Sequence, residues 1–340
     1  MTKSAFYHFT AASAIGARAE CVKHASLEDA CAERARGGYI WLAFVSPKRE
    51  ELAAVIPALG IHPLSIDDCF DDDQIPKVDV FPDYAEILFN DFSLNDGIVR
   101  IEELNLFVGS DYIVTVFDDE TEARCGIEKI AESVCRANVN GLTGPARILH
   151  AILDAVVDRK FSVLDAIGDE IIDLEDTIVS GKGSLDASTL HGIRRDLAIM
   201  RKSLFNEREL LARICRKESG VIPDDAIIYF SDVYDHLAKY VGIVETNREM
   251  VTNLAQLGLT IASNAMAEAS NRTNRSMTRL TFITTIFMPL TLIAGIGGMS
   301  EWTMITGQEN WKVSYPILLG AMALTGLVNY LVLRHLDRHS

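Results

Sequence analysis

The sequence predicts an α+β protein in which a cytoplasmic α/β domain precedes a helical hairpin, a stalk helix and two transmembrane helices. Three observations support this. Residues 1–143 contain β-branched and aromatic runs bounded by Gly, Asp and Asn, as strands are. From residue 144 the pattern becomes amphipathic and helical. The last fifth holds two runs without a charged side chain, between Arg279 and Glu301 and from Val313 to Leu333, each long enough to span a bilayer core of about 30 Å.

The N-terminal domain, residues 1–143, is expected to contain a small sheet with helices beside it. Helical patterns occupy Pro47–Leu59 and Glu120–Ala137. The predicted strands are residues 39–46, 84–94, 101–110 and 111–119. Neither a GxGxxG pattern nor a Walker pattern occurs, so a nucleotide site has no support.

Residues 144–222 predict an acidic antiparallel hairpin of two helices, 146–179 and 185–216, joined by a flexible Ser/Gly-rich turn. Its acidic residues also fit an ordinary solvated face. They are Asp165, Asp169, Glu170, Asp173, Glu175 and Asp176.

Residues 223–299 predict a stalk helix that continues into the first membrane span, because no proline occurs between Pro223 and Pro289. Some 70 helical residues extend roughly 100 Å. An external loop at 300–312, a second span at 313–334 and a cytoplasmic tail at 335–340 complete the predicted organisation.

Charge constrains both partners and orientation. The net charge of −16 argues against nucleic acid, which requires a cationic face, and favours cations. Arginines precede the first span and follow the second, whereas the loop that connects the spans carries Glu301 and Glu309. Because positive charge favours the cytoplasmic side, both termini are predicted to be cytoplasmic. No signal peptide is evident. Six cysteines without a CxxC pair predict reduced thiols rather than a zinc finger, and the scattered histidines predict structural or surface roles.

The first span carries a stripe of small and polar residues at spacings of three and four, which lie on one helical face. The stripe includes Asn274, Met277, Thr281, Thr284, Met288, Thr291, Gly295 and Gly298. It is typical of a pore helix in a parallel homo-oligomer, with Met277, Leu280 and Met288 as apolar constrictions that gate by dewetting. The opposite face, with Phe282, Ile286, Leu290 and Ile293, suits lipid. The alternative is that small residues merely allow transmembrane helices to pack closely.

Several segments resemble the CorA family of divalent-cation transport proteins, in matching order over nearly the whole chain. They are HPLSIDDCF and QIPKV (within 62–78), YFSDVYDH (229–236), VETNRE (244–249), SNRTNRSM (270–277) and TTIFMPLTLIAGIGGM (284–299). The resemblance implies a funnel-shaped homopentameric Mg2+ channel of the inner membrane. Its first transmembrane helices would line the pore, its second would form an outer ring, and divalent ions bound between cytoplasmic domains would close it.

The resemblance places the family's Gly-Met-Asn signature at the outer pore mouth on Gly298, Met299 and Ser300, beside Glu301. The third position departs from the signature, since a Ser hydroxyl is shorter than an Asn carboxamide and a weaker acceptor. The resemblance also places the regulatory metal ligands on Asp68 and Asp232, with Asp67 and Asp154 in support. The alternative there is a solvated acidic loop and a lone helix-surface charge.

These features together predict a divalent-cation channel for Mg2+, which is both transported and regulatory, since Mg2+ favours oxygen ligands. An uncharged oxygen lining does not by itself reject Zn2+, Co2+ or Ni2+, so transport of these ions stays open. A non-conducting, membrane-anchored metal sensor or scaffold is a further alternative. An enzyme is not expected, because the sequence shows no nucleophile and base pair and no metal-ligand motif.

Overall fold

The computed structural model describes the chain except residues 1–3, 11–20, 72–73, 96, 119–120, 122–125, 137–141, 143, 181–186, 219, 300–303, 305–306, 308–310 and 338–340. The chain divides into two compact units, Met1–Gln256 and Leu257–Ser340.

The first unit contains a seven-stranded sheet in the order β2-β1-β3-β7-β6-β5-β4. Strands β3 and β7 pair in parallel and the other neighbours are antiparallel. The strands are β1 Ala5–Phe9, β2 Cys21–His24, β3 Tyr39–Val45, β4 Lys77–Val80, β5 Tyr84–Asn95, β6 Ile98–Gly109 and β7 Tyr112–Phe117. The sequence pattern located β3, β5, β6 and β7 but missed β1, β2 and β4, which are short.

The longest pairing is the β5–β6 hairpin, whose register runs from Tyr84 opposite Gly109 to Asn95 opposite Ile98. Gly97 lies in the turn at a φ of 75°, a left-handed conformation that glycine adopts without steric cost.

In the described part of the chain, the short helices beside the sheet include α1 Leu27–Arg34, α2 Arg49–Ala53, α3 Val55–Leu59, α4 Pro63–Asp68 and α5 Ile127–Arg136. The predicted helix at 47–59 is therefore divided at Ala54. Alternate residues of β3, such as Ile40 and Leu42, pack with Leu52 and Val55 in one buried cluster. The intervening Trp41 is fully buried and donates from Nε1 to Thr115 Oγ1 at 3.0 Å.

The predicted hairpin consists of α6, Pro145–Val179, and α7, Ala187–Cys215. Pro145 suits the first position of α6 because the N–H that it lacks has no partner inside a helix there. Helix α6 packs on the sheet mainly at β5. There Lys160 and Glu207 form a fully buried ion pair.

Helix α8, Ile227–Gly297, corresponds to the predicted stalk and first span, and α9, Trp311–Asp337, to the second span. Both are long and apolar enough to cross a membrane. Within the second unit they pack antiparallel. Leu290 lies beside Gly326, and a Cβ on Gly297 would overlap the side chain of Leu318. The face that was predicted to suit lipid is half-buried at Phe282, Ile286, Leu290 and Ile293. Because Leu290 contacts α9, this face packs against a neighbouring helix as well.

Pro289 interrupts the hydrogen bonding of α8, because proline has no N–H to donate to the carbonyl of Thr285 four residues earlier. Asn329 of α9 approaches that carbonyl, with its Nδ2 at 3.5 Å from the oxygen. A backbone carbonyl that lacks a hydrogen-bond donor in hydrocarbon has a high free energy. The Asn329 amide supplies a donor, so even this long contact favours association of the two helices.

Candidate metal site and pore helix

Three potential metal ligands meet where α6 and the start of α8 come together in the first unit. A carboxylate oxygen of Asp154, a carboxylate oxygen of Asp158 and a ring nitrogen of His236 all lie within 4.8 Å of one another. Asp154 and Asp158 are one turn apart on α6 and therefore project from the same face. Two carboxylates and an imidazole form a ligand set that suits a divalent cation.

The surroundings of this trio are partly shielded from water. Burial raises the pKa of the Asp154 carboxyl, with smaller contributions from the neighbouring charged groups. Burial lowers the pKa of His150, which lines the same cavity as Asp154 and Asp158. The Nδ1 atom of His236 is buried and has no hydrogen-bond partner among the described residues. His236 thus keeps a ring nitrogen whose hydrogen-bonding capacity the described residues do not use.

Of the four predicted regulatory ligands, Asp154 belongs to this trio and Asp232 lies near it. Asp232 is exposed on the first turns of α8 and acts electrostatically on both Asp154 and His150. Asp67 instead pairs with Arg49 at 3.1 Å, and Asp68 pairs with Lys77 at 2.9 Å. Within one chain, therefore, Asp67 and Asp68 each have a cationic partner and lie apart from the trio's ligand atoms.

Asp158 and His236 were not predicted from the sequence. The available signal was a repeated spacing, because Asp154 and Asp158 are four residues apart, as are Asp232 and His236. Each pair occupies one helix face. The spacing could not show that the two faces meet, since that depends on how α6 packs against α8.

The predicted pore-lining residues are all exposed on α8 of the single chain, which leaves their face available to another molecule or to a pore. They are Asn274, Thr281, Thr284, Thr291 and Gly295. Three threonines share one geometry: each hydroxyl donates to the backbone carbonyl four residues earlier, at 2.8–2.9 Å. Because the hydroxyl hydrogen is used inside the helix, the outward oxygen is left as an acceptor, which suits cations and the hydrogens of their hydration water.

The predicted gate residues are also exposed, with Met277 61%, Leu280 59% and Met288 73% accessible. Helix α8 ends at Gly297, and the Gly298 N–H donates to the Ala294 carbonyl at 3.0 Å. Gly298 and Met299 of the predicted ion entrance are exposed at this end. Ser300 and Glu301 lie outside the described residues.

Comparison with known proteins places this architecture in a family. Residues 36–335 match the model of the CorA-like Mg2+ transporter protein family. The chain is 33% identical over 285 residues to the protein YfjQ of Bacillus subtilis, covering 84% of this chain and 85% of that protein. It is 31% identical over 274 residues to the cobalt/magnesium transport protein CorA of Thermotoga maritima, covering 79% and 74% of the two chains.

A more distant relative is the zinc transport protein ZntB of Pectobacterium atrosepticum, 26% identical over 161 residues, with 47% of each chain covered. The fold matches the CorA magnesium transporter of Methanocaldococcus jannaschii with a TM-score of 0.68 at 22% identity, covering 97% of both chains. The family match spans most of the sequence, including both apolar helices. The chain therefore belongs to the CorA-like family and is a divalent metal-ion transporter rather than an enzyme.

Proposed function

We propose that this chain conducts Mg2+ across the inner membrane as a homopentamer, with both termini cytoplasmic and with α8 of each protomer lining the pore. The observation that carries this proposal is the row of threonine hydroxyls on α8. Each is committed as a donor inside its own helix and presents an oxygen outward. The relative named as a cobalt/magnesium transport protein supports Mg2+ as a transported ion and keeps Co2+ among the candidates.

The lining fits a hydrated ion because it offers acceptors without a fixed charge. Mg2+ loses its waters reluctantly, so a pore must hold the waters as well as the ion. Acceptor oxygens on Thr281, Thr284 and Thr291 can bind those waters without trapping the cation. A ring of carboxylates would trap it. At the outer end we place the ion entrance on Gly298, Met299, Ser300 and Glu301.

A second candidate ion class is Zn2+, Co2+ or Ni2+, and one specific observation favours it. His236 completes the Asp154 and Asp158 trio, and imidazole is a ligand preferred by these metals and rarely used by Mg2+. The trio lies in the first unit and not among the predicted pore-lining residues. It therefore concerns the ion that regulates the protein more directly than the ion that is transported. A non-conducting metal sensor would share this trio but would give no ion flux.

Flux into proteoliposomes separates these functions. Purified protein should carry Mg2+, with Co2+, Ni2+ and Zn2+ compared at equal concentration and membrane potential. No flux of any of these ions would support the sensor, and a preference for Zn2+ would overturn the choice of Mg2+.

Replacing Ser300→Asn restores the carboxamide that the family signature carries and should shift the preference further towards Mg2+. Unchanged selectivity and rate would contradict a role for Ser300 at the entrance, and Ser340→Asn at the far terminus is the matched control.

For regulation, we propose that a divalent ion bridges Asp68 of one protomer and Asp232 of the next, with Asp67 and Asp154 adding negative charge. Asp232 is exposed and Asp68 is accessible despite its pairing with Lys77, so an approaching protomer can reach both. Carboxylates gathered at such a seam repel one another, and a bound cation offsets the repulsion. The ion favours the closed state by binding it better than the open one.

The gate is proposed at Met277, Leu280 and Met288, whose apolar side chains interrupt the oxygen lining. A narrow apolar ring excludes water and so blocks ions without a charge. Met288→Ser should therefore raise leak current while cytoplasmic Mg2+ is present, measured by electrophysiology in planar bilayers. Ile283→Ser, which changes an exposed residue off the stripe, is the control. A folded Met288→Ser channel that leaks no more than this control would show that helix packing, not gating, explains Met288.

A further inference from the structure

Two cysteines lie close together in the first unit, and neither is one of the predicted site residues. Cys21 opens the edge strand β2, and Cys135 lies in the last turn of α5. Both are free thiols and half-buried, and both line one open cavity together with Tyr7, Lys23 and Glu128. A small polar molecule in solvent can therefore reach them.

The contact between β2 and α5 is held at a second point. Lys23 Nζ pairs with Glu128 Oε1 at 2.6 Å, two turns of helix before Cys135. The Cys21 and Cys135 thiols line one cavity and lie close enough for each to affect the pKa of the other. Two thiols held close together on neighbouring elements need little backbone movement to join.

The two thiols are not equivalent. Burial raises the pKa of both, and that of Cys21 reaches about 12. At Cys135, a hydrogen bond from the Cys21 thiol and the charge of Arg147 both oppose this rise in pKa. Cys135 is thus the first of the pair to ionise, and the thiolate is the nucleophile in disulfide exchange.

We propose that Cys21 and Cys135 are a redox pair that closes to an intramolecular disulfide on exposure to a small-molecule disulfide such as oxidised glutathione. The Cys135 thiolate attacks one sulfur of the oxidant, forms a mixed disulfide and releases one glutathione thiolate. Cys21 then loses its proton to solvent and attacks the Cys135 sulfur, which expels the second glutathione thiolate. The protein loses two electrons and two thiol protons, and one oxidised glutathione becomes two reduced molecules.

The bond would tether the end of α5 to the edge of the sheet. The same helix contributes Lys129 and Ile130 to the cavity that contains Asp154 and Asp158. Oxidation therefore adds a covalent constraint to one wall of the candidate metal site.

The test uses full-length protein in detergent, incubated with oxidised glutathione, alkylated and mapped by mass spectrometry without reduction. The expected product is a Cys21–Cys135 cross-linked peptide on monomer-sized chains, forming faster at pH 9 than at pH 7. Cys21→Ser should accumulate glutathione on Cys135, whereas Cys135→Ser should leave Cys21 mostly unmodified. Cys31→Ser is the matched control and should oxidise like the parent. Absence of the Cys21–Cys135 peptide, its linkage between chains, or equal glutathionylation in the two variants would overturn the proposal.

Discussion

Lys160→Met should lower the free energy of unfolding of the first unit by about 3–5 kcal/mol, the usual cost of breaking a buried ion pair. Lys160 and Glu207 are both fully buried. Lys160 also stacks on Phe89 and Phe92, with Nζ 4.3 and 4.5 Å from the ring centroids. Without Lys160, the remaining donors to Glu207 among the described residues are neutral, namely the Asn90 N–H at 3.1 Å and the Ser203 hydroxyl at 3.3 Å.

The variant should also acquire a diagnostic pH dependence. Burial already raises the pKa of Glu207, and loss of Lys160 removes a charge that lowers it. A carboxyl group whose pKa is raised in the folded state binds its proton more tightly there than in the unfolded chain. The contribution of this protonated carboxyl to the free energy of unfolding is therefore complete below the unfolded pKa of about 4.3. That stability is then lost as the pH rises through the folded-state pKa. Lys160→Met should therefore be more stable at pH 5 than at pH 8.

Urea unfolding of the full chain, followed by fluorescence of the buried Trp41, measures both effects. The double variant Lys160→Met/Glu207→Leu should recover most of the lost stability, because it removes the unpaired charge together with its partner. If the single and double variants are equally destabilised, loss of packing rather than an unpaired carboxylate explains the result.

Asp154→Asn and His236→Ala should each raise the divalent-metal concentration that protects the protein from protease by at least about 10–100-fold. Each change removes one of the three groups that lie within 4.8 Å of one another. If the ion is Zn2+ or Co2+, His236→Ala should have the larger effect, because these metals bind imidazole strongly. If the ion is Mg2+, the loss of the carboxylate should dominate.

Asp165→Asn is the matched control, since Asp165 is an exposed carboxylate on the same helix. The Asp68→Ala/Asp232→Ala double variant tests the proposed bridge between protomers separately. Closure and protection at the parental Mg2+ concentration in that double variant would exclude the bridge. Parental protection in Asp154→Asn and His236→Ala would exclude the trio.

The sequence predicted the helical half of the fold well, because long helices carry many repeats of their pattern. The stalk was predicted to begin near residue 223, and α8 begins at Ile227. The short strands β1 and β2 escaped detection, since four or five residues give little alternation to read and β2 is an exposed edge.

Some residues of the candidate site were predicted from the sequence, and others became evident only from the structure. The resemblance led to the prediction of Asp232 from its place in YFSDVYDH, and of Asp154 from a matching helix position. Prediction of His236 and Asp158 would have required knowing how α6 packs against α8. That is a tertiary contact, which helical spacing does not reveal. The pairing of Asp68 with Lys77, nine residues later, likewise depends on how the chain turns between α4 and β4.

The Asn329 contact with the Thr285 carbonyl affects how the two membrane helices can be exchanged between relatives. A chimaera that imports α8 with Pro289 but pairs it with an α9 lacking Asn329 leaves a backbone acceptor without its donor inside the bilayer. In the reverse chimaera the residue-285 carbonyl accepts a helical N–H, so the Asn329 amide is no longer needed to satisfy it. These two helices are therefore best transplanted together, because the role of Asn329 depends on the proline forty residues before it.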